Sequence, residues 1–198
     1  MAQPPRDMEP FRAVIFDMDG VIVDSEPVHE RAFCDVLHAL GYGPDHGIRF
    51  ADYVGRSDFV LWQDFVAKHQ PAQSLEELLA LKRNRVIDLV RRAEPIFRGL
   101  PELVTQLAAR WPLAVASGSE RAVIDTVLGL KGLRRCFQVI VSASEVAQGK
   151  PAPDIFLRTA RLLDIPPKHC VVVEDSKPGV TAGLAAGMQV IAITNTHP

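Results

Sequence analysis

Short unbroken apolar runs alternate with longer amphipathic stretches along this chain, and the alternation starts at Ala13-Val14-Ile15-Phe16. A run this short and this β-branched reads as a buried strand, and it stops at two carboxylates, Asp17 and Asp19, followed by Gly20. A helix is expected next, opened by Asp24-Ser25-Glu26-Pro27, with the proline in the first turn and Ser25 or Glu26 near the cap. Val28, Ala32, Phe33, Val36, Leu37 and Leu40 then recur at helical spacing until Gly41-Tyr42-Gly43-Pro44 ends the run. A second helix runs through Phe59, Trp62, Phe65 and Val66 and is broken by Pro71. A third starts at Ser74, where Glu77 completes a capping box, and Leu75, Leu79, Val86 and Val90 lie along one face. Only helices are expected between Pro27 and Pro95, so residues 27–94 read as an inserted all-helical cap.

From Gly99 the pattern changes to helices alternating with short apolar strands. Helices are expected over 101–110, 120–130, 154–163 and 179–186, and strands over 113–116, 139–141, 171–173 and 190–193. Parallel neighbours need crossover connections, so five strands joined by helices predict an α/β fold with a doubly wound parallel five-stranded Rossmann-like sheet. The catalytic core then comprises residues 11–26 plus 95–198. Residues 1–10, with prolines and mixed charge, read as a disordered leader.

Composition narrows the class. The chain has 198 residues, 47% of them hydrophobic and 23% charged, enough for one domain carrying an insert. A formal net charge of −2 leaves no electrostatic footprint for nucleic acid. No apolar stretch is long enough to span a bilayer, and there is no signal-peptide pattern, so no membrane partner and a cytoplasmic location are expected. Nothing demands more than a monomer. Cys34, Cys136 and Cys170 are odd in number, widely spaced and set in apolar contexts, which reads as reduced, buried thiols.

The chemistry sits where strands end. The first strand meets Asp17 and Asp19, the second Ser117-Gly118-Ser119, and the fourth Glu174-Asp175-Ser176, while Gly149-Lys150-Pro151-Ala152-Pro153-Asp154 follows the third. In open parallel sheets these carboxyl ends share one edge, where ligands bind. Several carboxylates without a histidine cluster form a hard oxygen site, which favours Mg²⁺ over zinc. A lysine and a serine before a helix N-terminus suit a tetrahedral anion. Taken singly, Ser117 is an ordinary helix cap, Lys150 a solvated lysine and Glu174-Asp175 a strand-to-helix cap. Together and in this order they describe phosphoryl transfer, in which a carboxylate can itself be the nucleophile.

These motifs, Phe16-Asp17-Met18-Asp19-Gly20-Val21, Ser117-Gly118-Ser119, Gly149-Lys150-Pro151-Ala152-Pro153-Asp154 and Val173-Glu174-Asp175-Ser176, resemble those of the haloacid dehalogenase superfamily. Within it the chain resembles the β-phosphoglucomutase-like and small sugar-phosphate phosphatase group, from Val14 to Ile193. The resemblance implies that Asp17 attacks phosphorus to form an aspartyl phosphate, and that Asp19 protonates the leaving oxygen and then activates water. It implies Mg²⁺ held by the Asp17 carboxylate, the Asp19 backbone carbonyl and Asp175, with Glu174 in close support. Ser117 and Lys150 would bind phosphoryl oxygens. Asp19 argues for phosphate over halide chemistry, because dehalogenases lack an acid two residues after the nucleophile. The absence of lysine between Asp17 and Lys68 argues against phosphonate cleavage.

The resemblance further implies that the insert closes over the site and reads the leaving group. Its candidate substrate-binding residues are His29, Gly55 and Arg56 in the cap, and Gly118 and Arg121 in the core. His29 reads equally well as a half-exposed helix residue beside Phe33 and Val36. Arg56 and Lys82 read as solvated or as facing the cleft, and Arg121 as a contact to a distal phosphate. The loop Tyr53-Val54-Gly55-Arg56-Ser57-Asp58 departs from the β-phosphoglucomutase pattern, in which basic residues stand where Val54 and Asp58 are. Family members also continue past the fifth strand into a further strand and helix; either this chain is truncated or its tail lies outside this sequence, and an unmatched sheet edge or an exposed helix-docking surface is the expected consequence. The leading expectation is a Mg²⁺-dependent phosphatase of small phosphorylated metabolites, with a mutase or an inorganic pyrophosphatase as enzyme alternatives. A receiver-like or degenerate signalling module is the alternative outside enzymes.

Overall fold

A computed structural model describes residues 11–44, 46–53 and 58–194. Its strands are β1 (Ala13–Phe16), β2 (Leu113–Ser117), β3 (Val139–Ser142), β4 (Cys170–Glu174) and β5 (Gln189–Ala192). They form one parallel sheet in the order β3-β2-β1-β4-β5. β1 is therefore central. The chain first builds outward through β2 and β3 and then crosses back to place β4 on the other flank, so the order reverses between β1 and β4. That reversal opens a crevice at the carboxyl ends of these two strands.

The helices are α1 (Glu26–Ala39), α2 (Asp58–His69), α3 (Leu75–Ala93), α4 (Leu100–Ala108), α5 (Arg121–Gly129), α6 (Asp154–Leu163) and α7 (Lys177–Ala185). Alternate strand residues go to opposite faces of the sheet, as the two-residue period requires. Val14, Phe16, Leu113 and Val115 pack with Val104 of α4 and with Ile124 and Val127 of α5. Ala13, Ile15, Ala114 and Ala116 pack with Ile155, Phe156 and Ala160 of α6 and with Ala182 of α7. Both faces are covered, which explains why the strands read as continuous apolar runs.

Helices α1 to α3 form the insert, with a 3₁₀ turn at Phe50–Tyr53 between the first two. Their interior is Phe33, Val36, Leu37, Leu61, Trp62, Phe65 and Leu78. Aromatic side chains of this kind bury roughly 150–250 Å² each, so the insert carries a core of its own. Its inner side joins the first sheet face through Val28, Ala32, Val86 and Val90. The capping box at α3 forms as expected: Ser74 Oγ accepts from the Glu77 N–H at 3.2 Å, and the Glu77 carboxylate accepts from the Ser74 N–H at 2.7 Å. The buried stripe of α3 differs from expectation. It runs Leu78, Lys82, Val86, Val90, a strict four-residue repeat that includes a lysine.

The chain enters and leaves the insert through a short paired stem, which the helical periodicity does not signal. Val23 bridges Ile96 in antiparallel fashion, the Asp24 N–H donates to Pro95 O at 2.9 Å, and the Phe97 N–H donates to Ile22 O at 3.2 Å. Among the described residues no helix is long and apolar enough to cross a membrane. The three cysteines are unpaired, and one expectation about them fails: Cys34 is exposed on α1, Cys136 is half-buried, and only Cys170 is fully buried.

Candidate active site

β1 ends one residue before Asp17, whose N–H extends the ladder by donating to Val173 O at 2.9 Å. The chain then turns sharply. The N–H groups of Val21, Ile22 and Val23 all converge on Met18 O, and Gly20 takes φ +74°, a left-handed conformation that glycine adopts without a Cβ clash. This turn places Asp17 at the crevice floor and swings Asp19 toward the insert.

Asp17 is buried, and Lys150 Nζ donates to its Oδ1 at 2.7 Å and to Glu174 Oε1 at 2.5 Å. The lysine comes from the loop before α6, where the Lys150–Pro151 peptide is cis. Glu174 is fully buried at the end of β4, and its Oε2 accepts from the Ser176 N–H at 2.8 Å and the Ser176 hydroxyl at 2.9 Å. It fits only because α7 carries Gly179 beside it. A Cβ there would lie 1.7 Å from Glu174 Oε1.

Asp17, Glu174 and Asp175 each offer an oxygen, and these oxygens lie within 4.8 Å of one another. Burial raises the Asp17 pKa above the ordinary carboxylate range, with Lys150 opposing and the neighbouring Glu174 and Asp19 charges adding to the rise. Desolvation works to lower the Lys150 pKa, but Asp17 and Glu174 outweigh it and raise it. One ammonium thus faces a surplus of carboxylates. An all-oxygen donor set short of positive charge fits a hard divalent cation such as Mg²⁺.

Asp19 has a different environment. Its Oδ2 accepts from Ser119 Oγ at 2.8 Å and, less closely, from Ser117 Oγ at 3.3 Å. Its Oδ1 is buried without a hydrogen-bond partner, with His29 Nε2 at 3.8 Å. Desolvation acts to raise the pKa, but His29, Ser25 and Ser119 together bring it down to about 2. His29 is oriented from behind by Lys82, whose Nζ lies 3.1 Å from His29 Nδ1. Lys82 also pairs with Asp58 at the start of α2.

These residues line a cleft of about 540 Å³ between sheet edge and insert. Of the residues singled out from sequence, Asp17, Asp19, His29, Gly118, Lys150 and Asp175 face it. Ser117 is buried just beneath, its hydroxyl directed to Asp19, while Gly118 and Ser119 are the members of that motif that face the cleft. Gly55 and Arg56 lie outside the described residues. Arg121 does not join the cleft lining: it sits at the start of α5, where its guanidinium pairs with Asp125 one turn on and with Glu145.

Lys82 is not solvated, as one reading had it; it is 0% exposed and spans the cap interior. Sequence reasoning missed Ser119, Ser25 and Asp58 as site residues. Ser25 occupies the N-cap position of α1, yet its side chain caps nothing and instead faces the cleft. The signal available for Lys82 was its place within the apolar i+4 repeat of α3.

A parallel sheet with a buried carboxylate at the switch point, a lysine bonded to it and a helical cover is the architecture that comparisons with known proteins match. The chain matches the haloacid dehalogenase-like hydrolases over residues 11–187 and belongs to that family. Among its relatives, fructose-1-phosphate phosphatase YqaB of Escherichia coli K12 is 35% identical over 189 residues, spanning 93% of this chain and 97% of that protein. Hexitol phosphatase B of the same organism is 33% identical over 183 residues, spanning 91% and 82%. The crystal structure of CbbY from Rhodobacter sphaeroides in complex with phosphate superposes with a TM-score of 0.80 at 26% identity, covering 94% of this chain and 88% of that one.

Proposed function

We propose that this protein is a Mg²⁺-dependent phosphatase that hydrolyses small phosphorylated metabolites, sugar phosphates foremost, with Asp17 as nucleophile. The carrying observation is the division between two carboxylates two residues apart: Asp17 is held by Lys150 at 2.7 Å on the sheet side, whereas Asp19 is turned to the cap side under His29 and Ser119. The naming of relatives as sugar and hexitol phosphatases supports the substrate class.

An Asp17 carboxylate oxygen attacks phosphorus in line with the ester oxygen, so an acyl phosphate bond forms as the P–O bond to the leaving group breaks. Lys150 sits where it neutralises charge on the transferring group and lessens repulsion between anionic nucleophile and anionic substrate. Asp19, once protonated, gives its proton to the leaving oxygen, and its carboxylate then takes a proton from water as the water oxygen attacks phosphorus. The low pKa of Asp19 keeps it ionised at rest, the form needed for that second half. Asp17, Glu174, Asp175 and the Asp19 backbone carbonyl would hold Mg²⁺, which supplies positive charge to the phosphoryl oxygens when bound.

The test is phosphate release from a panel of sugar phosphates, sugar-alcohol phosphates, nucleotides and pyrophosphate, with Mg²⁺ and with excess chelator. Release without any bisphosphate activator is expected, together with loss in chelator and a fall of about a thousandfold or more in Asp17→Asn. Full activity in Asp17→Asn overturns the nucleophile assignment.

A further inference from the structure

Away from the phosphoryl end, two ion pairs among the described residues lie at the cleft. The Lys82 ammonium, 0% exposed, is held by the Asp58 carboxylate and lies 3.1 Å from His29 Nδ1. Burial lowers the Lys82 pKa, and Asp58 beside it, with Asp19 further off, works against that fall. The next residue on α3, Arg83, reaches to the core and pairs with Glu120 Oε2 at 2.7 Å. Among the described residues, Arg83 and Lys150 are the lysines and arginines that line the cleft. Asp24, Glu26, Asp58 and Glu120 line it too, outside the phosphoryl end.

Among the described residues, a second phosphate placed here would meet more carboxylates than cations. To recruit Lys82 or Arg83 it would have to displace a carboxylate already bonded to it, an arrangement that rejects by leaving charges unpaired. Sugar hydroxyls face no such conflict, because they donate to carboxylates. Phe50, Tyr53 and Phe59 add ring surface against which the carbon face of a polyol can lie.

Building on the phosphatase reading above, we propose that Asp58 is a specificity-determining residue. By holding Lys82, it tunes the cleft to monophosphates whose leaving group is neutral and hydroxyl-rich, and it excludes substrates with a second phosphate.

The experiment compares kcat/KM for a hexitol monophosphate and for a hexose bisphosphate in the parent, in Asp58→Asn, and in the double variant Asp58→Asn/Lys82→Met. The parent is expected to prefer the monophosphate by about thirtyfold or more, as one uncompensated charge contact in a cleft of this polarity implies. Asp58→Asn frees the ammonium and should raise the bisphosphate value, narrowing the preference by about tenfold. The double variant, with neither charge, should lose that gain while remaining folded, since it leaves no buried ion alone. A parent that handles both substrates within about threefold overturns the proposal, as does an Asp58→Asn variant that changes both substrates in proportion. If no monophosphate is hydrolysed at all, the phosphatase reading fails separately. Calorimetric binding of the same two sugars to Asp17→Asn then still decides the filter: tighter monophosphate binding supports it, and tighter bisphosphate binding overturns it.

Discussion

Gly179 shows how a residue with no side chain shapes the acidic floor. Glu174 is completely buried and bonded by Lys150 and by Ser176, so a displaced carboxylate gives up both partners. A Cβ at position 179 would stand 1.7 Å from its Oε1 and 2.0 Å from its Cδ. Gly179→Ala is therefore expected to cost about 1–3 kcal/mol of stability, read by denaturant unfolding, because a packed interior absorbs an added methyl only by displacement. The same change should raise the Mg²⁺ concentration for half-activation about tenfold, since groups that support a ligand matter nearly as much as the ligand itself. An unchanged Mg²⁺ requirement would show that Glu174 has no part in the cation site. Asp19→Asn leaves the backbone carbonyl in place but removes the proton carrier, so turnover should fall by about 10²–10⁴ with the Mg²⁺ requirement intact. Asp17, Asp19, Lys150, Glu174 and Asp175 were legible in the sequence because each follows an apolar strand at the edge where such folds bind ligands. Ser25 and Ser119 were not, because the direction of a serine at a turn is decided by contacts with Asp19, which no local pattern encodes.

Helix α3 is the element that couples the cap to the chemistry. Its buried stripe, Leu78, Lys82, Val86 and Val90, runs from the cap interior through the lysine behind His29 to the sheet core. Counting only apolar residues moves that stripe by a few positions, to Leu75 and Leu79, since a lysine is scored as solvent-facing. The Lys82 partner, Asp58, lies across a loop and on another helix, so burial of the pair is a tertiary fact with no local signature. The helix start, in contrast, is local, and the Ser74–Glu77 box formed as the sequence spelled it. Ser74→Ala should lower stability by about 0.5–2 kcal/mol. Because the box lies two turns before Lys82, kcat/KM for the preferred substrate should stay within about twofold of the parent. A large kinetic loss with little change in stability would mean that the α3 start itself contacts substrate. Arg121 makes the opposite lesson at α5: its position in sequence beside Ser119 pointed to the cleft, but the helical turn carries it to Asp125 and Glu145.

At the scale of the molecule, the insert is joined to the core by the paired stem of Val23 with Ile96 and is cross-linked to it by surface ion pairs. Arg83 of α3 bonds Glu120 before α5, and Lys131 after α5 bonds Glu94 at the end of α3. The stem strands are bonded to each other, so cap motion is expected as a twist of the pair, with both connections moving together. Exposed pairs of this kind contribute about 0–1 kcal/mol each, too little to hold the cap shut yet enough to bias it. Arg83→Gln should therefore leave the unfolding midpoint nearly unchanged while raising KM up to about fivefold, with kcat preserved or increased as product escapes more readily. Half-molar salt shortens the screening length to a few ångströms, so it should raise KM of the parent toward that of the variant and move the variant much less. Faster hydrogen exchange in Ile22–Asp24 and Pro95–Phe97 of Arg83→Gln would place the effect in the stem. If parent and variant respond to salt alike, the Arg83–Glu120 contact does not link cap to core in solution, and the bias toward closure must come from the apolar contact of Val86 and Val90 with the sheet.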